Sequence, residues 1–278
     1  MTDTRFHRQE LLFGREGQQK IAAASIAIVG VGGIGTRVIQ DTVLLGGRRF
    51  VLIEPGELKE SSKNRYVGHL HDDPVPGTPK LRIGERIIRA VSPDAEVTRV
   101  PMRLESPEGI AAIETADVVF GCLDNEGARF SLNEVCAKQG KRLIDIATEI
   151  IPPERDEPLR YGGRVFVLWD RPGCLCCCGV LDMEEVQRDL ASPEELLSRE
   201  AIYGLDRKRL GGTDPSVATL NGVMASIAAT EFMVAVTGLR LPVRLTVYRA
   251  DLGKFTTSLD KPRAGCYTCA TAASMQPQ

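Results

Sequence analysis

Ser25-Ile26-Ala27-Ile28-Val29-Gly30-Val31-Gly32-Gly33-Ile34-Gly35 is the stretch whose reading decides the fold. A short run rich in β-branched residues predicts a buried strand, and four glycines within six positions predict a tight turn. The pattern from Gly33 to Leu45 predicts a helix. Glycines in that setting let backbone approach a phosphate closely, while the helix N-terminus adds partial positive charge. The next strand, Arg49–Glu54, ends in an acid nineteen residues beyond Gly35. A carboxylate there can accept hydrogen bonds from both ribose hydroxyls. Gly30, Gly32, Gly33 and Glu54 are therefore the first nucleotide-binding candidates.

Outward from this unit, strands are expected at Glu96–Val100, Asp117–Cys122 and Arg142–Ala147. Helices are expected at Lys80–Val91, Ser106–Glu114 and Glu126–Gln139. Apolar strands alternating with helices imply a mostly parallel sheet covered on both faces, and right-handed crossovers make it a doubly wound, Rossmann-like α/β fold. Arg5–Ala24 reads as one or two amphipathic helices. Ile151–Pro158 reads as a loop, Arg164–Trp169 and Arg244–Arg249 as strands, and Met183–Leu210 as a charged helical excursion. Pro215–Leu239 is apolar almost all round, which suits a buried helix. Only the last few residues read as disordered.

The 278 residues carry 43% apolar and 26% charged side chains, with a formal net charge of −2. That balance gives no basic excess for nucleic acid or an anionic membrane. No unbroken apolar run approaches the roughly 18 residues of a spanning helix. The polar start, MTDTRFHRQE, is unlike a secretory signal, so the expected compartment is the cytoplasm, where thiols stay reduced. Eight cysteines there point to metal more than to disulfides. Cys174 with Cys177 and Cys266 with Cys269 form two C-x-x-C pairs that can supply four thiolates to a structural Zn²⁺. Cys176 and Cys178 leave the register within Cys174–Cys178 open, and Cys178 is a possible reactive thiol. Cys122 and Cys136 read as core thiols. Nicotinamide chemistry competes for the glycine loop, but His7, His69 and His71 all lie in polar stretches away from the strand ends.

Further charged groups surround the expected crevice. Asn64 and Arg65 follow Glu54, Lys80 opens a helix, Asp124-Asn125 closes a strand, and Arg129 lies in the helix after it. On these residues, on Arg5-Phe6-His7-Arg8-Gln9 and on Asn221–Glu231, the chain resembles the adenylyltransferase family of ubiquitin-activating enzymes and their bacterial relatives, the ThiF/MoeB/HesA group. The resemblance spans nearly the whole chain and implies one adenylation domain over residues 1–278, with a zinc-pinned C-terminal extension. It implies that ATP and Mg²⁺ activate the C-terminal glycine of a ubiquitin-like or sulfur-carrier protein, giving an acyl-adenylate and pyrophosphate. Glu54 would hold the ribose, Arg65 and Lys80 the triphosphate, and Asp124 the Mg²⁺. Asn64, Asn125 and Arg129 would complete the nucleotide site, and Arg8 would reach the ATP site of a partner in a homodimer. A conjugating enzyme is a possible further partner, and thioester transfer is left open because the crossover stretch, Gly211–Ser216, holds no cysteine. The chain departs from the family pattern at Gly56, where the pattern has a second acid, at Ser62 in place of Asn, and at Tyr66 in place of Gln. These departures keep open a degenerate nucleotide-binding scaffold. Adenylation of a tRNA base or a peptide is a further alternative.

Overall fold

The structure, a computed structural model, describes residues 4–151, 158–170, 172–191, 215–258 and 262–269. Part of the excursion expected over Met183–Leu210, most of the Gly211–Ser216 crossover, most of the 151–158 loop and the last residues lie outside the described residues. The strands are β1 (Ser25–Val29), β2 (Arg49–Ile53), β3 (Glu96–Val100), β4 (Val118–Gly121), β5 (Arg142–Ile151), β6 (Arg160–Leu168), β7 (Leu245–Arg249) and β8 (Lys254–Ser258). The helices are α1 (His7–Ala23), α2 (Gly33–Leu44), α3 (Lys80–Val91), α4 (Pro107–Glu114), α5 (Glu126–Lys138), α6 (Met183–Leu190) and α7 (Ala218–Thr237).

All eight strands form one sheet in the order β3-β2-β1-β4-β5-β6-β7-β8. β3 through β5 pair in parallel, as alternating buried strands and crossover helices require. One face packs Ile28, Leu52 and Phe120 with Phe232 of α7; the other packs Val29 and Ile53 with Ile113 of α4 and Leu132 of α5. The chain moves outward from β1 to β3, then returns to the far side of β1 at β4. The carboxyl ends of β1 and β4 are therefore the switch point of the sheet, where such folds leave a crevice.

The second half of the sheet differs from expectation. β5 runs on to Ile151 and β6 starts at Arg160, because the two pair antiparallel from Leu143–Leu168 to Ile151–Arg160. β8 was not foreseen. Lys254–Ser258 is exposed along the sheet edge, so it lacks the in–out alternation that marks a strand, although Phe255 stacks on Tyr248 at 4.2 Å between ring centroids. α1 is broken at Gly14 (φ 71°), so one amphipathic stretch yields two helical halves. α7 is the one described helix long and apolar enough to cross a membrane by length and composition, and half of it is buried in the protein. It also buries Glu231, which is held by Arg240 at 2.7 Å and by the Val243 N–H at 2.8 Å.

Candidate active site and cysteine cluster

The four glycines of the β1–α2 loop are not equivalent. Gly30 has φ 91°, and a Cβ there would lie 2.5 Å from the Cys122 carbonyl at the end of β4. A Cβ on Gly35 would run into the Gly30 carbonyl, and one on Gly33 would sit 2.7 Å from the Asn221 amide of α7. Those three are glycines because the protein itself leaves no room. Gly32 is different: its φ of −94° suits any residue, and a Cβ there would meet only the Tyr66 hydroxyl, at 3.7 Å. Open space lies beside Gly32, at the N-terminus of α2, where an anion is favoured.

Glu54, 9% exposed, stands beside this loop. Its carboxylate accepts the Val31 N–H at 3.1 Å, the Gly56 N–H at 2.8 Å and the Lys80 ammonium at 3.2 Å. A Cβ on Gly56 would come within 2.7 Å of Glu54 Oε1 and 3.2 Å of Lys80 Nζ. The space a side chain at position 56 would enter is thus lined by Glu54 and Lys80, which pair with each other. Burial works to lower the Lys80 pKa, but the charge of Glu54, the Tyr66 phenol and hydrogen bonds to both outweigh it and hold the ammonium above its ordinary range. Burial raises the Tyr66 phenol. The pair is therefore a charged ammonium and a neutral hydroxyl.

Arg65 lays its aliphatic stem over Gly33, 3.2 Å from where a Cβ would be, and donates to the Ser61 carbonyl at 2.6 Å and to Asn64 Oδ1 at 3.2 Å. Asn64 thus meets Arg65 directly. Asp124 is exposed at the end of β4 and accepts from Asn125 Nδ2 at 3.2 Å. Asn125 also caps α5, its Oδ1 accepting the Ala128 N–H at 2.7 Å. Arg129 is buried: it pairs with Asp145 at 2.8 Å, donates to the Ile146 carbonyl at 2.8 Å and also reaches the Leu123 carbonyl. From there it fixes the turn that presents Asp124. Arg8 is not brought to this crevice. It is exposed in the first turn of α1, and its neighbour Gln9 donates to the Leu44 carbonyl at 3.0 Å, at the opposite end of α2 from the glycine loop.

A cleft of about 170 Å³ opens at the carboxyl end of β5, lined by Ala147, Glu149, Gly162, Gly163, Arg164 and Val247. Arg164 donates to Glu126 at 2.9 Å, two residues beyond Asp124, so the cleft adjoins the β4 end of the crevice. Two groups at the site carry no local sequence signal. Asn221 bridges Thr148 (3.0 Å) and Ser216 (3.2 Å) while facing Gly33, and Arg164 joins β6 to α5; both depend on contacts between distant segments.

The cysteines resolve into one register. The sulfurs of Cys174, Cys177, Cys266 and Cys269 all lie within 4.8 Å of one another. Cys174 is 3.7 Å from Cys266 and 3.8 Å from Cys177, and Cys177 is 3.7 Å from Cys269. A tetrahedron with Zn–S bonds of about 2.3 Å has edges of about 3.8 Å, so the cluster can hold zinc with no position left open. Cys176 turns aside to Asn133 (3.4 Å), and Cys178 lies beside Arg244 (3.5 Å). Cys122 and Cys136 are fully buried, and burial pushes both thiols far above the ordinary range. They are core groups, not nucleophiles.

A doubly wound sheet with open space beside Gly32 in its switch-point loop, and with Glu54, Lys80 and Arg65 next to that loop, is an α/β fold that can accept an anionic ligand there. The ThiF family matches residues 6–271, so the chain belongs to the ThiF family and is an enzyme of the adenylyltransferase class. Among relatives, vegetative protein HesA of Trichormus variabilis is 25% identical over 98% of this chain and 91% of its own. The sulfur carrier protein ThiS adenylyltransferase of Escherichia coli K12 is 24% identical over 95% of this chain and 94% of its own. The crystal structure of E. coli MccB with AMPCPP and MccA superposes with a TM-score of 0.75 at 16% identity, over 97% of this chain and 74% of that one, a likeness of fold.

Proposed function

We propose that the protein uses Mg·ATP to adenylylate the C-terminal carboxylate of a small ubiquitin-like or sulfur-carrier protein ending in glycine. The observation that carries this reading is the vacancy beside Gly32 in a loop whose other glycines are required by the protein's own packing. A carboxylate oxygen attacks the α-phosphorus, the bond from that phosphorus to the bridging oxygen breaks, and pyrophosphate leaves. The attacking carboxylate is already ionised at neutral pH and needs no base. It needs its repulsion from the triphosphate offset, and fixed cations do that best in a partly enclosed site.

Arg65, over Gly33, and Lys80, beside Glu54, would serve that purpose. A carboxylate has about four acceptor positions, and Glu54 already fills three. When Lys80 turns to a phosphate oxygen it releases one of these, so triphosphate binding frees Glu54 for the ribose hydroxyls. Asp124, exposed and held in place by Asn125 and the Arg129-fixed turn, would hold Mg²⁺, which neutralises phosphate charge when bound. The cleft beside Arg164 would take the carrier's tail, with its last residue approaching Asp124.

Zn²⁺ on Cys174, Cys177, Cys266 and Cys269 would pin the C-terminal segment to the loop after β6 and take no part in the chemistry. Arg8, remote from the crevice of its own chain, fits a role in a partner's site within a homodimer. Onward transfer to a thiol would fall to Cys178, the partly exposed cysteine beside Arg244, and a conjugating enzyme would receive the product. Four thiolate ligands would suit a cytoplasmic location, where thiols stay reduced.

ATP–pyrophosphate exchange tests the reading. Exchange should require a carrier or peptide ending in Gly-Gly and vanish when the terminal carboxylate is amidated. Exchange indifferent to that carboxylate would overturn it.

A further inference from the structure

The Tyr66 side chain has a position that the reaction so far does not use. The residue is 7% exposed, at the floor of the crevice between Lys80 and the glycine loop. Its hydroxyl lies beside the Lys80 ammonium, which acts on its titration. An ammonium can only donate, so the phenol oxygen is the acceptor and its own proton remains to be given elsewhere. The same oxygen is the one atom facing Gly32, 3.7 Å from where a side chain would begin. A hydroxyl at the edge of an opening can give its proton to an acceptor that enters there. The space beside Gly32 is where such an acceptor fits.

We infer that Tyr66 is a nucleotide-binding residue: its hydroxyl takes a hydrogen bond from Lys80 and gives its own to a phosphate oxygen of ATP lying across Gly32. This rests on the nucleotide reading of the crevice and adds a contact made by this chain's own departure from the family pattern. Tyr66 also limits how far Lys80 can swing. One ammonium hydrogen can stay on Tyr66 when Lys80 leaves Glu54 for a phosphate oxygen, so the cation is aimed at the ligand.

Calorimetric titration of Mg·ATP into the full-length, zinc-loaded protein tests this, comparing wild type, Tyr66→Phe and Lys80→Ala. Tyr66→Phe keeps the ring in place and removes one oxygen. It should weaken ATP about ten- to a hundredfold, the range for a lost hydrogen bond to a charged group, and leave the nucleotide-free thermal midpoint within a degree or two of wild type. Wild-type affinity in Tyr66→Phe alongside a large loss in Lys80→Ala would overturn the Tyr66 contact and leave the nucleotide site standing. Wild-type affinity in both variants, or no ATP binding by wild type, would remove the nucleotide reading as well. A large midpoint loss in Tyr66→Phe would also count against the inference, because it would make the hydroxyl a packing group. The independent check is Gly32→Ala, whose added methyl meets only the Tyr66 oxygen: unchanged ATP affinity there would show that no phosphate lies across Gly32.

Discussion

The glycine loop and the cysteine cluster can each hold a charged ligand, and they are built in opposite ways. The loop uses backbone. Gly30, Gly33 and Gly35 are fixed by contacts with Cys122, Asn221 and each other, so the cradle is complete before any phosphate arrives. The cluster uses side chains from two segments far apart in sequence, and its four sulfurs stand 3.7–3.8 Å apart along three edges. Thiolates that close repel one another unless a cation sits between them, so here the ligand completes the structure. Loss of ligand should therefore cost function at the loop and stability at the cluster.

The largest effect should come from the cluster. Removing metal with a strong chelator, or replacing Cys266→Ser, should take metal content from about one zinc per chain to none. It should lower the thermal midpoint by about 10 °C or more, since a structural site contributes several kcal/mol and each shifts a chain of this size by a few degrees. An unchanged midpoint in metal-free protein would break the contrast. The next effect is at the crevice: Asp124→Ala and Arg65→Ala should each slow ATP–pyrophosphate exchange by about two to three decades. Asp124→Ala should leave the midpoint near wild type, because Asp124 is exposed and, among the described residues, its hydrogen bond is with Asn125.

Within the loop the contrast can be sharpened residue against residue. Gly33→Ala must displace the Asn221 amide and should cost about 1–3 kcal/mol of stability. Gly32→Ala should fold as wild type and lose ATP affinity at least tenfold, checked by thermal melts beside nucleotide titration. The smallest effect lies outside both regions. Arg86 forks onto Asp73 at 2.7 and 2.8 Å, and that hydrogen-bonded pairing lowers the Asp73 carboxyl to about 2. A depressed folded-state pKa means the stabilisation is fully present above the ordinary value near 4 and is lost as pH falls through 2. Urea midpoints of wild type and Asp73→Asn should differ at pH 6 and converge toward pH 2. A gap that stays constant would refute the assignment.

These two regions also explain what the amino-acid order reveals. The strand Ser25–Val29, its glycines and Glu54 act through near neighbours, so pattern and spacing place them with little error. The parallel strands follow for the same reason, each being a buried β-branched run between amphipathic helices. The late strands are harder to read. β8 is exposed along its length, and the extra turns of β5 and β6 exist only because they pair with each other. The grouping of the four sulfurs needed the fold as well, since four cysteines in five residues allow several pairings, and the packing of Cys176 on Asn133 and of Cys178 beside Arg244 turns two of them away. Arg129 shows the same limit: a cation beside an expected phosphate site is, in the folded chain, enclosed by Asp145 and three segments of backbone and side chain. Sequence reveals which charges are near; burial decides which of them can meet a ligand.

The most direct test of the central claim is a crystal structure with Mg·ATP bound. The account predicts the triphosphate across Gly32, with Lys80 and Arg65 on its oxygens, the metal on Asp124 and the ribose against Glu54. A nucleotide bound elsewhere, or bound here with Lys80, Arg65 and Asp124 all turned away from it, would contradict the account.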